Sequence, residues 1–210
     1  MTISSRYVRN IARMWRLATR ASSQASRAKH RHPGGVIKVA HTAELQPPLL
    51  DEIWEMLIDV FEGDIESSDW EHALGGVHAL AYDGDALVGH ASVIQRRLIH
   101  GGRALRTGYV EAVGVRAEAR RNGHASALMD AIERVIRGAY DVGALGASDM
   151  ALAFYRQRGW LPWEGETYAL TPDGIERTPE DDDSLHILEL AEPLDRTARI
   201  MCDWREGAVW

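Results

Sequence analysis

The chain has 210 residues, with 24 Lys and Arg against 31 Asp and Glu, 45% hydrophobic residues and one cysteine, a profile of a globular protein with one sizeable core. Charged, Gly or Pro residues interrupt every apolar run before it approaches the roughly 18 residues that a membrane span needs, which excludes a transmembrane protein. Cys202 alone allows neither an intramolecular disulfide nor a Cys-rich metal site, no metal site is expected, and a reducing compartment such as the cytoplasm is the expected location.

The formal net charge of -7 is unevenly distributed. Residues 1–43 contain no Asp or Glu but nine basic residues: Arg6, Arg9, Arg13, Arg16, Arg20, Arg27, Lys29, Arg31 and Lys38. Taking those nine from 24 leaves 15 basic residues against 31 acidic ones, so the body from Glu44 onward carries -16. Such a body repels nucleic acid and attracts cations, and a polycationic small molecule suits it better than a polyphosphate.

In chain order, the five arginines from Arg6 to Arg20 recur at helical spacing with Ile11, Met14, Trp15 and Leu17 between them. This leader reads as an interfacial or targeting helix, as a partly disordered tail or as an overlong start, and it lacks the apolar core of a secretory signal. Pro33-Gly34-Gly35 closes it, so residues 1–35 are expected to be a basic extension and residues 36–210 a folded domain. Val36 to Ala40 predicts the first strand. Leu50, Ile53, Trp54, Leu57, Ile58 and Phe61 predict the apolar face of a helix over 49–61. A short helix is expected from a cap at Ser68 through Leu74, stopping at Gly75-Gly76. Val77 to Tyr82 and Ala86 to Leu98, separated by Asp83-Gly84-Asp85, predict an antiparallel hairpin, and after His100-Gly101-Gly102 a third strand runs from Ala104 to Val115.

That third strand leads into Arg116 to Arg121, then Asn122-Gly123-His124-Ala125, then a helix bearing Leu128, Met129, Ile132, Val135, Ile136 and Ala139. A helix start built of small residues is an anion site, because its first N–H groups have no intrahelical partner and the macrodipole adds partial positive charge. The segment Arg120-Arg121-Asn122-Gly123-His124-Ala125 resembles the pyrophosphate loop Arg-x-x-Gly-x-(Gly or Ala) of the acyl-CoA-dependent N-acetyltransferases. Its place between a strand and an amphipathic helix gives the motif its context. Asp149 to Arg158 followed by Gly159-Trp160-Leu161-Pro162-Trp163 resembles that family's second block.

A narrower resemblance, covering roughly Lys38 to Trp210, is to the aminoglycoside 2'-N-acetyltransferases. It rests on Asp69-Trp70-Glu71-His72, Leu74-Gly75-Gly76, Gln95-Arg96-Arg97-Leu98, Gly108-Tyr109-Val110-Glu111, Arg137-Gly138-Ala139-Tyr140, Arg158-Gly159-Trp160-Leu161-Pro162-Trp163 and Cys202-Asp203-Trp204-Arg205. The resemblance implies an α/β (α+β) fold, a mixed, mostly antiparallel central sheet with helices on both faces, and acetyl-CoA in a cleft where the strand of Glu111 splays from a strand at Val142 to Leu145. It further implies that Val113, Gly114 and Val115 hold the pantetheine arm, and that Arg120, Arg121, Asn122, Gly123, His124 and Ala125 hold the pyrophosphate. Glu111 is the implied general base, acting through water, and Tyr155 the implied acid for the departing thiolate. Asp64, Asp69, Glu111, Ala112, Gly146, Glu180, Asp181 and the carboxylate of Trp210 are the implied acceptor contacts, and dimers are frequent in the family.

A protonated amine must lose a proton before it attacks a thioester, which a carboxylate in the cleft can provide, and direct transfer in a ternary complex needs no cysteine nucleophile. Other readings stand beside these roles. Glu111 reads also as an outward strand carboxylate, Tyr155 as a core ring, Arg121 and His124 as solvated helix-start residues, and Glu180-Asp181-Asp182-Asp183 as a solvated acidic loop. His72, His78 and His90 read as packing or surface residues, and Cys202 as an ordinary buried thiol. Gly146 stands where relatives often carry a small hydroxyl residue, and Ala208 where an acidic one is common, so the acceptor preference is less defined than the use of acetyl-CoA. Three functions follow: an aminoglycoside 2'-N-acetyltransferase conferring resistance, an acetyltransferase for another amine such as a cell-wall amino sugar or polyamine, or a non-catalytic acyl-CoA sensor.

Overall fold

A computed structural model describes residues 35–210, and the readings of the leader before Gly35 lie outside the described residues. The strands are β1 (Val36–His41), β2 (Val77–Asp83), β3 (Ala86–His100), β4 (Arg103–Val115), β5 (Val142–Gly146), β6 (Leu161–Pro162), β7 (Thr167–Thr171), β8 (Gly174–Arg177), β9 (Leu185–Glu189) and β10 (Ile200–Cys202). The α-helices are α1 (Pro47–Val60), α2 (Ser67–Ala73), α3 (His124–Ala139) and α4 (Leu152–Gln157). Among the described residues no helix is long and apolar enough to cross a membrane.

All ten strands join one mixed sheet in which β1–β2–β3–β4 is an antiparallel meander, β5 runs parallel to β4, and β9 and β6 continue antiparallel. β3 is long enough to pair β2 along Ala86–Val93 and β10 along Leu98–His100. β10 in turn pairs β7 in parallel.

The period-two alternation of strands explains how both faces are covered. On β2, Ala79 and Ala81 pack under Leu128, Met129, Ile132 and Ile136 of α3, while Leu80 between them packs on the other face with Ile53, Met56 and Leu57 of α1. The small alanines let α3 approach the sheet closely. A third apolar cluster joins Tyr109, Ala144, Trp163, Leu185, Ile187 and Cys202 to the C-terminal Val209 and Trp210.

Three helix details differ from the sequence expectation. The buried face of α1 is Ile53, Met56, Leu57 and Val60, while Ile58 is 38% exposed. The face is therefore rotated from the predicted one, because Met56 and Val60 fall on the side that meets β2 and β3. Helix α2 is entered from Glu66, not capped by Ser68, since the Asp69 carboxylate accepts the Glu66 N–H at 2.9 Å. The expected segment from Asp149 to Arg158 contains a helix only over Leu152–Gln157.

Candidate functional site

The ladder between β4 and β5 pairs only Thr107, Gly108 and Tyr109 with Val142, Gly143 and Ala144. Beyond Tyr109 the two strands part, so β4 from Val110 onward has an edge that β5 does not cover. On its other edge β4 carries a bulge: His90 pairs Gly114 and Ser92 pairs Glu111, so Ala112 and Val113 together oppose Ala91 alone. Ala112 takes φ +49°, the left-handed region, although it is not glycine. Such a conformation costs on the order of 1 kcal/mol and persists only where surroundings enforce it.

Past the bulge, the chain turns through Ala117–Ala119 into the loop that opens α3. Arg120 folds back, its Nε donating to the Val115 carbonyl at 3.0 Å, whereas Arg121, Asn122 and Gly123 are exposed. Gly123 at φ +84° is the N-cap, a conformation that favours glycine, and the Ala127 N–H to Gly123 carbonyl bond of 3.0 Å is the first of the helix. The amides of His124 and Ala125 are left facing out of the helix start. His124 is buried, and its Nδ1 has no partner among the described residues.

Glu111 lies one residue before the bulge and is 5% exposed, so its reading as an outward strand carboxylate does not hold. Its Oε1 accepts from Nη1 of Arg205, a residue outside the expected set. Arg205 also donates from Nε to the Ala208 carbonyl at 2.8 Å and stacks on the Tyr109 ring, 5.4 Å from its centroid, with Arg96 4.8 Å from the same ring. Arg96 Nε is 2.8 Å from Asp203 Oδ1, which anchors the C-terminal segment at its start. Gly207 marks where that segment crosses α2, since a Cβ there would lie 2.8 Å from the Ser68 hydroxyl, and His72 donates to the Glu206 carbonyl at 2.8 Å.

This crossing brings α2 and its carboxylate to Glu111. Burial pushes the Asp69 carboxyl up, with the nearby Glu111 charge adding to the rise and Arg205 opposing it. Burial holds the His72 imidazole down at about 4, so it is neutral. The acidic run splits by role. Asp182 is structural, its Oδ1 accepting from Arg177 at 2.8 Å and from the Thr167 hydroxyl at 2.9 Å. Asp183 is exposed, Glu180 half-buried and Asp181 9% exposed. Burial, with Glu180 and Asp182 nearby, raises Asp181 to about 7, against the pull of Arg205.

Trp210 is 2% exposed, and its Nε1 donates to the Thr178 hydroxyl at 3.0 Å. The terminus is thus docked beside the acidic run. Gly146 ends β5, where a Cβ would lie 3.8 Å from the Tyr109 hydroxyl, a buried group without a partner among the described residues. Asp64 is half-buried in the connection between α1 and α2. Tyr155 is 6% exposed, edge-on to Phe154 and Trp160 at 5.3 and 6.2 Å. Burial raises its phenol, so it stays protonated and can give a proton. Behind it, Glu133 accepts from Trp160 Nε1 at 2.9 Å and Arg158 Nε at 2.7 Å, tying α4 to α3. Cys202 is a buried thiol, its Sγ donating to the Val209 carbonyl at 3.4 Å.

Sequence reasoning missed Arg205, Arg96 and Tyr109 as parts of this site. All three stand inside the blocks that carry the resemblance, but nothing local in the sequence pairs Glu111 with a residue 94 positions away.

Residues 43–162 match the family described as Acetyltransferase (GNAT) domain. The chain is 52% identical over 184 residues to an aminoglycoside 2'-N-acetyltransferase of Mycolicibacterium fortuitum, covering 84% of this chain and 94% of that protein. A GNAT family N-acetyltransferase of Escherichia coli, solved in complex with CoA, superposes with a TM-score of 0.59 at 15% identity over 86% of this chain and 94% of that one. ElaA of Escherichia coli superposes with a TM-score of 0.52 at 21% identity over 73% of this chain and 99% of that one. At those identities the two structures speak for the fold.

Proposed function

The chain belongs to the GNAT acetyltransferase family, an acetyl-CoA-dependent one, and from that premise we propose that it acetylates the 2'-amine of aminoglycosides and so confers resistance to them. The observation that carries the acceptor is the 52% identity to a 2'-N-acetyltransferase along 94% of that relative. The cleft chemistry agrees, since Glu111 is paired with Arg205 and the carboxyls of Asp69 and Asp181 lie within that guanidinium's electrostatic reach, and acidic groups suit a polycationic sugar.

The residues present fit acetyl-CoA. β4 offers an edge beyond Tyr109 that β5 leaves uncovered, α3 offers outward amides, and the buried His124 Nδ1 has no partner among the described residues. When bound, acetyl-CoA supplies the acetyl group as a thioester. Val113, Gly114 and Val115 would hold its pantetheine arm through backbone groups, and the loop from Arg120 to Ala125 its pyrophosphate. Of that loop, Arg121 is exposed and free to approach a phosphate, whereas Arg120 is turned towards Val115.

Glu111 accepts the proton of the acceptor ammonium through water, and Arg205 fixes its carboxylate in one orientation. Tyr155 gives its phenolic proton to the departing thiolate. Asp69, Asp181, Glu180, Asp64, the backbone of Ala112 and Gly146, and the Trp210 carboxylate line the acceptor side. A cytoplasmic location suits a thiol that is kept free.

The test is acetyl-CoA consumption by the full chain with two aminoglycosides that differ only at the 2' position, one an amine and one a hydroxyl. Turnover with the amine alone is expected. Equal turnover with both would place the acetyl group elsewhere, and turnover only with polyamines or amino sugars would replace the acceptor.

Asp181 gives a pH-dependent prediction. Its folded pKa of about 7 lies above the 3.8 of the unfolded carboxyl. The folded state therefore binds more protons between those values, and stability falls as pH rises from about 4 to about 7. Asp181→Asn removes this dependence, so its melting temperature should exceed that of the parent at pH 8 by a margin that shrinks or reverses at pH 4. A margin independent of pH would refute a raised Asp181.

A further inference from the structure

Behind the bulge lies a chain of hydrogen bonds that the catalytic assignments do not use. His90 Nδ1 is 2.8 Å from the Ala112 carbonyl, His90 Nε2 is 2.9 Å from His78 Nδ1, and His78 Nε2 is 2.7 Å from the Thr42 hydroxyl. The Gly75 N–H donates to that hydroxyl at 2.8 Å. Both imidazoles are fully buried, with Trp70 6.2 Å from His78 and 6.0 Å from His90, itself stacked on Trp54 at 6.1 Å. Burial lowers His78 to about 4 and His90 to about 3, so both are neutral at physiological pH.

The direction of every proton follows from the end of the chain. A carbonyl only accepts, so His90 carries its hydrogen on Nδ1. Its Nε2 is then a lone pair that must receive the Nδ1 hydrogen of His78, whose own Nε2 receives the Thr42 hydroxyl hydrogen. The longer contact of that hydroxyl to the Gly76 carbonyl, 3.2 Å, is the one given up. All donors therefore point towards Ala112, the residue held at φ +49°.

A trans peptide directs its C=O and the following N–H to opposite sides. With the Ala112 carbonyl held by His90, the Val113 N–H is turned away from the imidazole pair. It also sits in the two-residue bulge that opposes Ala91 alone, on the stretch of β4 that β5 leaves uncovered. We propose that His90, oriented by His78 and Thr42, is a positioning residue that locks the Ala112–Val113 peptide so that the Val113 N–H is presented to the thioester carbonyl of acetyl-CoA. This rests on the reading of Val113 as a cofactor contact. A strained peptide has an alternative flipped state, and an N–H aimed beforehand at developing oxyanion charge needs no rearrangement during reaction.

The test joins a tautomer measurement with a variant pair. In the native full chain at neutral pH, nitrogen-15 NMR should find His78 and His90 both as the Nδ1–H tautomer. An Nε2–H tautomer at His90 would overturn the proposal outright, whatever the variants do. In His90→Asn the side-chain amide can occupy the Nδ1 position and keep the bond to Ala112, whereas His90→Gln reaches the Nε2 position and loses it. His90→Gln is expected to lower kcat about tenfold or more, with aminoglycoside KM little changed and the Val113 amide resonance displaced, while His90→Asn recovers most of both. Equal loss in both variants would reduce the pair to packing. A displaced Val113 resonance with unchanged kcat would keep the peptide lock but refute Val113 as the thioester contact.

Discussion

Glu111→Gln is expected to lower kcat with a 2'-amino aminoglycoside by about two to four orders of magnitude, the range that a positioned general base contributes. Acetyl-CoA affinity should stay within about twofold, because Glu111 precedes the bulge and the cofactor contacts lie at and after it. The substitution is nearly isosteric, and the glutamine carbonyl can still accept from Arg205, so the cleft should keep its shape. The change also removes the charge that balances Arg205, so some fall in melting temperature is expected whether Glu111 is catalytic or structural, and stability alone does not separate the two. The discriminating measurement is the pH profile of kcat/KM, whose acidic limb should disappear in Glu111→Gln. Persistence of that limb with a reduced rate would assign the proton transfer to another group, with Asp69, whose carboxyl feels the Glu111 charge, the first candidate.

The parts of this fold legible in the sequence are those with local periodicity. The meander of β2, β3 and β4 was set by Asp83-Gly84-Asp85 and His100-Gly101-Gly102, and α3 by its apolar stripe and the small residues at its start. The splay of β4 from β5 followed from the resemblance, not from the residues, since a parallel ladder that stops after Tyr109 leaves no mark on either strand alone. The bulge was also silent, because Ala112 carries no sign of a left-handed backbone, unlike Gly123. In the sequence His78 and His90 read only as packing or surface residues. Their register sets His78 opposite Ser92 and His90 opposite Leu80, so the two imidazoles meet diagonally across β2 and β3, a relation that exists only once the hairpin is formed. The acidic run gave its charge but not its division of labour, which depends on Arg177 capturing Asp182 and leaving Asp181 buried near Arg205.

The docked terminus leads to the second large effect. Deleting Trp210 removes an indole that is 2% exposed and packs with Val209, Trp163 and Leu185, and loss of such a side chain costs about 3–5 kcal/mol. The segment that holds Arg205 should loosen with it, because Arg205 is tied to the Ala208 carbonyl and the segment is pinned at its far end by the Trp210 bond to Thr178. Turnover and stability should therefore fall together, and deletion alone cannot separate the indole from the carboxylate. Adding a single glycine after Trp210 does so. It keeps the indole in place and carries the terminal charge about 3.5 Å further along the chain. If the carboxylate binds an ammonium of the acceptor, aminoglycoside KM should rise about tenfold or more, as expected when one charge-assisted bond is lost, while the melting temperature and acetyl-CoA affinity hold. An unchanged KM in the extended chain would remove the carboxylate from the acceptor site and leave Trp210 as the anchor that keeps Arg205 against Glu111.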